Sequence, residues 1–167
     1  MHNKRVQLTL FVQAAQAREI ERIRQAFNPE QYRLINSHVT LCREDELEPI
    51  EQVLRNLAAL DGGSVCLDFG HVQRFSAGKG VLIPAIGANE GFQRLRAQVL
   101  RGITEQPRNH EPHITLMHPR NATCTDEIFA HIESCTFPRQ INFHEVALIE
   151  QEMGEKWAVL EVFALGK

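Results

Sequence analysis

Short segments of alternating apolar and polar residues follow one another along the chain, separated by segments in which apolar residues recur every three or four positions. Alternation is typical of strands that bury one face, and the longer period is typical of amphipathic helices. The pattern therefore predicts mixed strands and helices. Strands are predicted at Val6–Val12, Ser37–Cys42, Val65–Phe75, Gly80–Ile86, His113–Met117, Gln140–Glu150 and Trp157–Leu165, and helices at Ala15–Phe27, Leu47–Leu60, Gly91–Ile103 and Asp126–Ser134.

The second half of the chain repeats the first when residue 38 is laid on residue 113. The tetrapeptide His38–Leu41 (HVTL) then coincides with His113–Leu116 (HITL), and the apolar positions of the predicted helices coincide as well. Helix positions alone would match in many α/β chains, but a repeated tetrapeptide would not. We therefore expect two β-α-β-α-β halves, about 1–77 and 78–167. Because such a unit buries little by itself, the halves are predicted to be two lobes of one domain, residues 1–167, of the α+β class.

The composition narrows the class of protein. The 167 residues are 43% hydrophobic and 23% charged, which is ordinary for a folded domain and too apolar for a disordered chain. No run of about 18 apolar residues occurs, so no membrane span is expected. A net charge of −3 argues against a protein that coats long nucleic acid through its phosphates, but it is compatible with binding a nucleotide or a polynucleotide end.

The first residues and the cysteines predict a cytoplasmic location. The segment MHNKRVQLTLFVQ passes from a basic tip directly into a strand pattern, without the apolar region of a secretory signal. The four cysteines are scattered and include no Cys-x-x-Cys pair, as expected of reduced thiols. They are Cys42, Cys66, Cys124 and Cys135.

The repeated tetrapeptide carries the candidate chemistry. Alternation along a strand places His38 and Thr40 on one face, and it does the same for His113 and Thr115. Taken singly, a histidine on a strand is more often structural than catalytic, but with 8 histidines the sequence would contain only about 0.3 His-x-Thr triplets by chance. If the lobes pair with two-fold symmetry, the two faces meet across a cleft. The site then holds two imidazoles and two hydroxyls.

Two imidazoles on either side of a phosphate suit an in-line displacement at phosphorus. One neutral histidine takes a proton from the attacking water, and its charged partner protonates the departing oxygen. The threonine hydroxyls donate to the non-bridging oxygens, where negative charge accumulates. We predict His38, Thr40, His113 and Thr115 as catalytic residues, with no metal or cofactor.

These motifs resemble those of the two-histidine (2H) phosphoesterase superfamily, which comprises RNA 2′,5′-ligase-like proteins and 2′,3′-cyclic phosphodiesterases. His38–Leu41 and His113–Leu116 match its pattern of two His-x-Thr/Ser-x motifs, one in each lobe. The resemblance implies antiparallel-type sheets around a central cleft, with helices outside. It also implies metal-independent hydrolysis of cyclic phosphates on nucleotides or RNA ends, and the reverse reaction would be 2′-5′ RNA ligation. Because the chain supplies both half-sites, we expect a monomer.

Two alternatives to this interpretation stay open at this point. His110, His113 and His118 could form a zinc site, but an odd spacing on a strand places His113 and His118 on opposite faces unless the chain bends at Pro119. The second alternative is a non-catalytic nucleotide-binding or regulatory module that uses the same cleft.

Five further residues are candidate substrate contacts. Phe11 lies on the polar face of the first predicted strand, where it could stack a base, although packing under a helix is an equally simple role. His118 follows the second motif closely enough to reach the rim of the cleft. Arg43 and Arg120 follow the two motifs and would steer phosphate, although most arginines at strand ends are simply solvated. Tyr32 lies in the predicted loop before the first motif.

Overall fold

The computed structural model describes residues 4–76 and 78–166. The boundary between the lobes is predicted between residues 77 and 78, and residue 77 lies outside the described residues. The strands are β1 (Lys4–Phe11), β2 (His38–Cys42), β3 (Val65–Phe69), β4 (Gln73–Arg74), β5 (Val81–Ile86), β6 (His113–Met117), β7 (Gln140–Phe143), β8 (Glu145–Glu152) and β9 (Ala158–Ala164), and the helices are α1 (Ala14–Phe27), α2 (Pro29–Leu34), α3 (Ile50–Ala58), α4 (Glu90–Val99) and α5 (Asp126–Glu133).

The described residues form a nine-stranded antiparallel sheet with the helices around it. The strand order is β7-β3-β5-β6-β2-β1-β8-β9, and the short strand β4 forms an additional pair with β5. The α+β class and the single domain are therefore confirmed. The sheets of the two halves are joined into one, because the two motif strands, β2 and β6, are neighbours at its centre. No helix within these residues is long and apolar enough to cross a membrane.

The two halves follow a local two-fold axis at the centre of the sheet. Val39 of β2 pairs with Ile114 of β6, and these are equivalent residues of the two tetrapeptides. On either side, β1 pairs with β2 as β5 pairs with β6. The predicted repeat is thus reproduced in the strand pairing.

The core contains the apolar faces of both motif strands. Val39, Leu41, Ile114 and Leu116 are all at most 1% exposed. Each motif strand contacts the first long helix of the opposite half, α1 with β6 and α4 with β2. Because each lobe's helix covers the other lobe's strand, neither half has a complete core by itself.

The segment before the first motif differs from the prediction. It was predicted as a loop, and the structure has the helix α2 over Pro29–Leu34. Asn28 does end α1, as predicted, but Pro29 then occupies the first turn of α2, where proline is tolerated because that N–H has no helical partner.

Three predicted elements are shorter or divided. The helix predicted from Leu47 begins at Ile50, after a 3₁₀ turn and Pro49. The strand region Val65–Phe75 is divided into β3 and β4 around Gly70, whose position has no room for a side chain because a Cβ there would lie 2.8 Å from Ile86. The strand predicted at Gln140–Glu150 is divided into β7 and β8.

Candidate active site

The motif histidines and threonines lie side by side on one face of the sheet. If the antiparallel register is continued from the Val39–Ile114 pair, His38 lies opposite Thr115 and Thr40 lies opposite His113. The two histidines are then diagonal neighbours, and sheet geometry separates the Cα atoms of such a pair by about 7–8 Å. All four residues line one cleft. The expectation that the two faces meet across the cleft was wrong in this respect, because together they form its floor.

The two histidines are held in the same way. Nδ1 of His38 donates to the carbonyl of Asn36 at 2.8 Å, and Nδ1 of His113 donates to the carbonyl of Glu111 at 3.0 Å. In both cases the acceptor is the residue two positions earlier, so the repeat extends to these contacts. Because a carbonyl oxygen only accepts, Nδ1 carries the hydrogen, and Nε2 of each ring is the nitrogen available to a substrate.

An aromatic ring lies edge-on to each motif histidine. Phe11 lies 6.1 Å from His38, and Phe75 lies 6.0 Å from His113, measured between ring centroids. Phe11 packs against a small apolar cluster formed by Ile35, Ala147 and Ile149, and it does not line the cleft. The structure therefore gives Phe11 a position beside a catalytic candidate rather than the base-stacking position that the sequence suggested.

A β-bulge follows the threonine of each motif. Leu8 and Thr9 of β1 pair with Cys42 and Thr40, so Leu41 is an extra residue in β2, and Leu116 is the corresponding extra residue in β6. A bulge shifts the phase of alternation by one residue. Cys42, which alternation would place on the histidine face, is consequently buried, and burial raises the pKa of its thiol to about 12.

The same bulges direct the next residues into the cleft. Arg43 and His118 stand five positions after the two motif histidines, and both line it. The prediction that His113 and His118 point to opposite faces was therefore wrong, because a bulge cannot be detected from alternation alone. Arg120 also lines the cleft, whereas Tyr32 does not.

Comparison with known proteins identifies the family. The model of the family described as the 2′-5′ RNA ligase superfamily matches residues 11–155 of the chain. The chain belongs to this superfamily. No curated protein sequence matches it.

Solved structures share the fold of this chain. E. coli LigT in its apo form superposes with a TM-score of 0.68 at 18% identity, with 98% of each chain covered. The protein TT0787 of Thermus thermophilus gives a TM-score of 0.54 at 16% identity, with 98% of this chain and 99% of that chain covered. At these identities the likeness is one of fold.

Within this superfamily fold, the two threonines have different neighbours. The side-chain amide of Gln7 donates to the hydroxyl of Thr40 at 3.1 Å and to that of Thr9 at 2.8 Å. In the repeat, Gln7 corresponds to Leu82, which cannot make such a bond to Thr115. The hydroxyl of Thr40 is therefore used as an acceptor, which leaves its hydrogen to be donated into the cleft.

The cleft presents two guanidinium groups at its rim. Among the residues that the structure describes, neither Arg43 nor Arg120 forms an ion pair with a carboxylate. The backbone N–H of Arg120 donates to Nδ1 of His118 at 3.1 Å, so the hydrogen of the neutral His118 ring is on Nε2. Burial, together with Arg120 and Arg5, lowers the pKa of His118.

His110 supports the site from behind. Its Nε2 donates to the carbonyl of Thr40 at 3.1 Å, and its ring stacks on Phe92. His110 and His113 each donate a hydrogen bond from one ring nitrogen to a backbone carbonyl. Within the part of the chain that the structure describes, no three His, Cys, Asp or Glu side chains are grouped so that they could hold a metal ion.

Burial deep in the cleft lowers the pKa of His38 to about 4. The carbonyl of Asn36 opposes this change, whereas the positive charge of the buried Arg24 adds to it. The neutral form of His38 is therefore the form present at neutral pH.

We expect the protein to lose stability as the pH falls from 7 to 5. Burial and Arg96 lower the pKa of His110 from 6.5 to about 4, so the unfolded chain binds its proton first. The stabilisation is complete above pH 6.5 and is lost as the pH falls towards 4, at a cost of about 1–2 kcal/mol by pH 5 for this one residue. Urea unfolding at pH 7 and pH 5 measures it. His110→Gln should show a smaller pH dependence than the wild type, and an unchanged dependence would contradict the assignment.

Proposed function

We propose that the protein is a metal-independent phosphodiesterase that hydrolyses 2′,3′-cyclic phosphates of nucleotides or RNA ends. The observation that carries the proposal is the equivalent arrangement of His38 and His113, whose Nδ1 atoms are both held by backbone carbonyls. Two Nε2 atoms on one face of the sheet, carried by diagonally neighbouring residues, suit an in-line displacement at a phosphate bound between them.

His38 acts as the general base, because its lowered pKa keeps it neutral. It takes a proton from the attacking water as the oxygen bonds to phosphorus. The bond from phosphorus to one ribose oxygen breaks, and His113 donates a proton to that oxygen. The product is a nucleoside monophosphate. If a 5′-hydroxyl attacks phosphorus in place of water and the bond to the 3′-oxygen breaks, the same proton transfers join two ends through a 2′-5′ bond.

The threonines and the arginines stabilise the negative charge on the phosphoryl oxygens. Thr40 and Thr115 donate to non-bridging oxygens, and Gln7 orients the Thr40 hydroxyl. Arg43 and Arg120 neutralise the phosphate as it enters from the rim, and the Nε2 hydrogen of the neutral His118 adds a donor.

Relatives of the same fold support a nucleotide as the substrate. E. coli LigT has been crystallised with phosphate, with ATP, with NADP⁺ and with 3′-AMP. The cavity above the motif residues has a volume of about 680 Å³, which is in the usual range for small-molecule sites. The cytoplasmic location and the monomeric state stay predictions.

Turnover is tested with a panel of 2′,3′-cyclic mononucleotides and short RNAs that carry a 2′,3′-cyclic phosphate end. We expect hydrolysis to a monophosphate, unchanged after exhaustive chelation. Nucleotide binding without turnover of any member would contradict the proposal and favour a binding module. Loss of turnover on chelation would favour a metal enzyme instead.

Thr40→Val and Thr115→Val should each lower kcat by about 10- to 1,000-fold, because each removes one donor to a non-bridging oxygen. Steady-state kinetics on the best cyclic nucleotide measure the effect, and thermal unfolding should show that both variants are folded. Gln7→Leu reproduces the arrangement of the second lobe and should cost less than Thr40→Val. Full activity in both threonine variants would mean that these positions serve only the strand.

A further inference from the structure

The cleft is nearly two-fold symmetric at the phosphate site but strongly asymmetric on either side of it. A second cavity of about 410 Å³ lies beyond His110 and His113. Its described walls include four neutral amides and contain no arginine or lysine. Its polar side chains, apart from the two histidines, are Gln73, Asn89, Gln93, Asn109 and Glu111.

The opposite side has an aromatic wall, formed by Leu34, Ile35, Trp157 and Arg5. The backbone N–H of Trp157 donates to the carbonyl of Leu34 at 2.9 Å, which fastens the turn between β8 and β9 onto α2. The guanidinium carbon of Arg5 lies over the indole, 5.4 Å from its centroid. The chain therefore places a planar cation on an aromatic ring at the edge of the phosphate site.

Arg5 is held in this position from both sides. Its Nη1 donates to Gln151 and its Nε donates to Glu44, both at 3.3 Å. Gln151 is itself fixed, because its amide donates to the carbonyl of Glu155 at 3.0 Å. A side chain that is tethered at two points loses less freedom when a ligand binds against it.

We propose that the aromatic wall is the nucleobase subsite, in which the base of the substrate stacks on the Arg5–Trp157 pair while its cyclic phosphate lies between His38 and His113. The inference rests on the proposed function for the position of the phosphate. Nucleobases stack on aromatic rings and on guanidinium planes alike, so the pair offers a surface for any base. Apart from His110 and His113, the described walls of the second cavity contain neither an aromatic ring nor a cation, so the base is directed to one side.

This subsite gives the substrate one orientation in a site whose catalytic residues are nearly symmetric. With the base on the aromatic wall, the sugar lies across His38 and Thr40, and the leaving oxygen faces a fixed member of the histidine pair. A base-free cyclic phosphate has no such anchor. The aromatic wall should therefore strengthen the binding of substrates that carry a base. It should leave the binding of a base-free cyclic phosphate unchanged.

The first test uses fluorescence, because Trp157 is the single tryptophan of the sequence. Titration of the full-length protein with 3′-AMP should change its emission saturably. Inorganic phosphate at saturating concentration should leave the emission nearly unchanged. This readout does not depend on turnover, so it tests the subsite even if the proposed hydrolysis fails.

The second test compares two cyclic substrates in variants of the wall. Trp157→Leu should raise KM for a nucleoside 2′,3′-cyclic phosphate by about 5- to 150-fold, as expected for losing one stacked base, with kcat changed less. KM for methyl ribofuranoside 2,3-cyclic phosphate, which has no base, should be unchanged. Trp157→Phe keeps an aromatic ring and should retain most of the affinity, which guards against a variant that merely fails to fold.

A matched control exists in the same chain. Arg74 lies over Phe129 at 5.2 Å, a similar cation–ring pair that does not line the cleft. Phe129→Leu should leave KM unchanged for both substrates. Equal KM changes for the base-bearing and base-free substrates in Trp157→Leu, or an emission that 3′-AMP leaves unchanged, would overturn the subsite. If the wild-type protein hydrolysed cyclic nucleotides while those results were obtained, the proposed function would stand and only the nucleobase subsite would be rejected.

Discussion

Replacing His38 or His113 by alanine is expected to lower kcat/KM for a cyclic nucleotide by about 10²- to 10⁴-fold, the usual contribution of one proton-transfer group. Each histidine does half of a single proton exchange, so removing the second after the first should cost little more. Single-turnover kinetics on purified variants measure the chemical step, and a binding titration with 3′-AMP shows that the cleft is still formed.

The control is a histidine outside the cleft. His71 is exposed and lies on the connection between β3 and β4, so His71→Ala should keep wild-type activity. His110→Gln, which keeps a donor for the Thr40 carbonyl, should be mild. If His110→Gln were as damaging as His113→Ala, the acid–base pair would have been assigned to the wrong residues.

The pH dependence follows from the same pair. The rate should be bell-shaped, because one imidazole has to be neutral while its partner is protonated. The two apparent pKa values belong to the coupled pair rather than to single residues, since the two imidazoles are neighbours on the floor of the cleft and each charge acts on the other. The low pKa of His38 extends the acidic side of the profile, because this ring stays neutral well below pH 6.5.

The centre of the fold could be predicted from the sequence because two local signals agree there. Alternation in the segments around His38 and His113 predicts strands, and the repeat predicts that the strands are equivalent. The pairing of Val39 with Ile114 confirms this equivalence at the centre of the sheet. The superfamily match extends over most of the chain, as the motifs implied.

The parts that were missed depend on contacts between distant residues. The position of Cys42 and that of His118 follow from bulges, which depend on pairing with another strand. Pro29 carried an ambiguous signal, because the same residue ends one helix and begins the next. Trp157 comes to the cleft through a bond to Leu34, more than a hundred residues earlier, and no local pattern reveals that contact.

The aromatic candidates illustrate the same limit. Alternation separated Phe11 from the core face of its strand, but it could not show that the small cluster around Ile35 lies next to it. Only the tertiary structure distinguishes an aromatic ring that supports a histidine from one that faces a ligand. The sequence therefore predicted well that the four motif residues share one face, and predicted the surrounding walls of the cleft poorly, because the motifs are repeated and the walls are not.

A buried ion pair joins the two lobes next to this site. Arg96 of α4 is fully buried and donates to both carboxylate oxygens of Glu46, to the carbonyl of Leu41 and to that of Arg108. Leu41 and Glu46 belong to the first half of the chain, whereas Arg96 and Arg108 belong to the second. One guanidinium thus connects the end of the first motif strand to the loop that carries His110.

Replacing Arg96 by methionine should lower the free energy of unfolding by about 3–5 kcal/mol, because it removes the buried partner of Glu46, which keeps only the half-exposed Arg108, and takes the Arg96 donor from two carbonyls. Urea unfolding at pH 7 measures the loss. Arg94→Met is the matched control, since Arg94 is exposed on the same helix, and it should change stability by no more than about 0.5 kcal/mol. Arg96→Met combined with Glu46→Leu should recover part of the loss, because an apolar pair carries no unpaired charge. If Arg96→Met were no worse than Arg94→Met, the two lobes would be held together by their shared core alone.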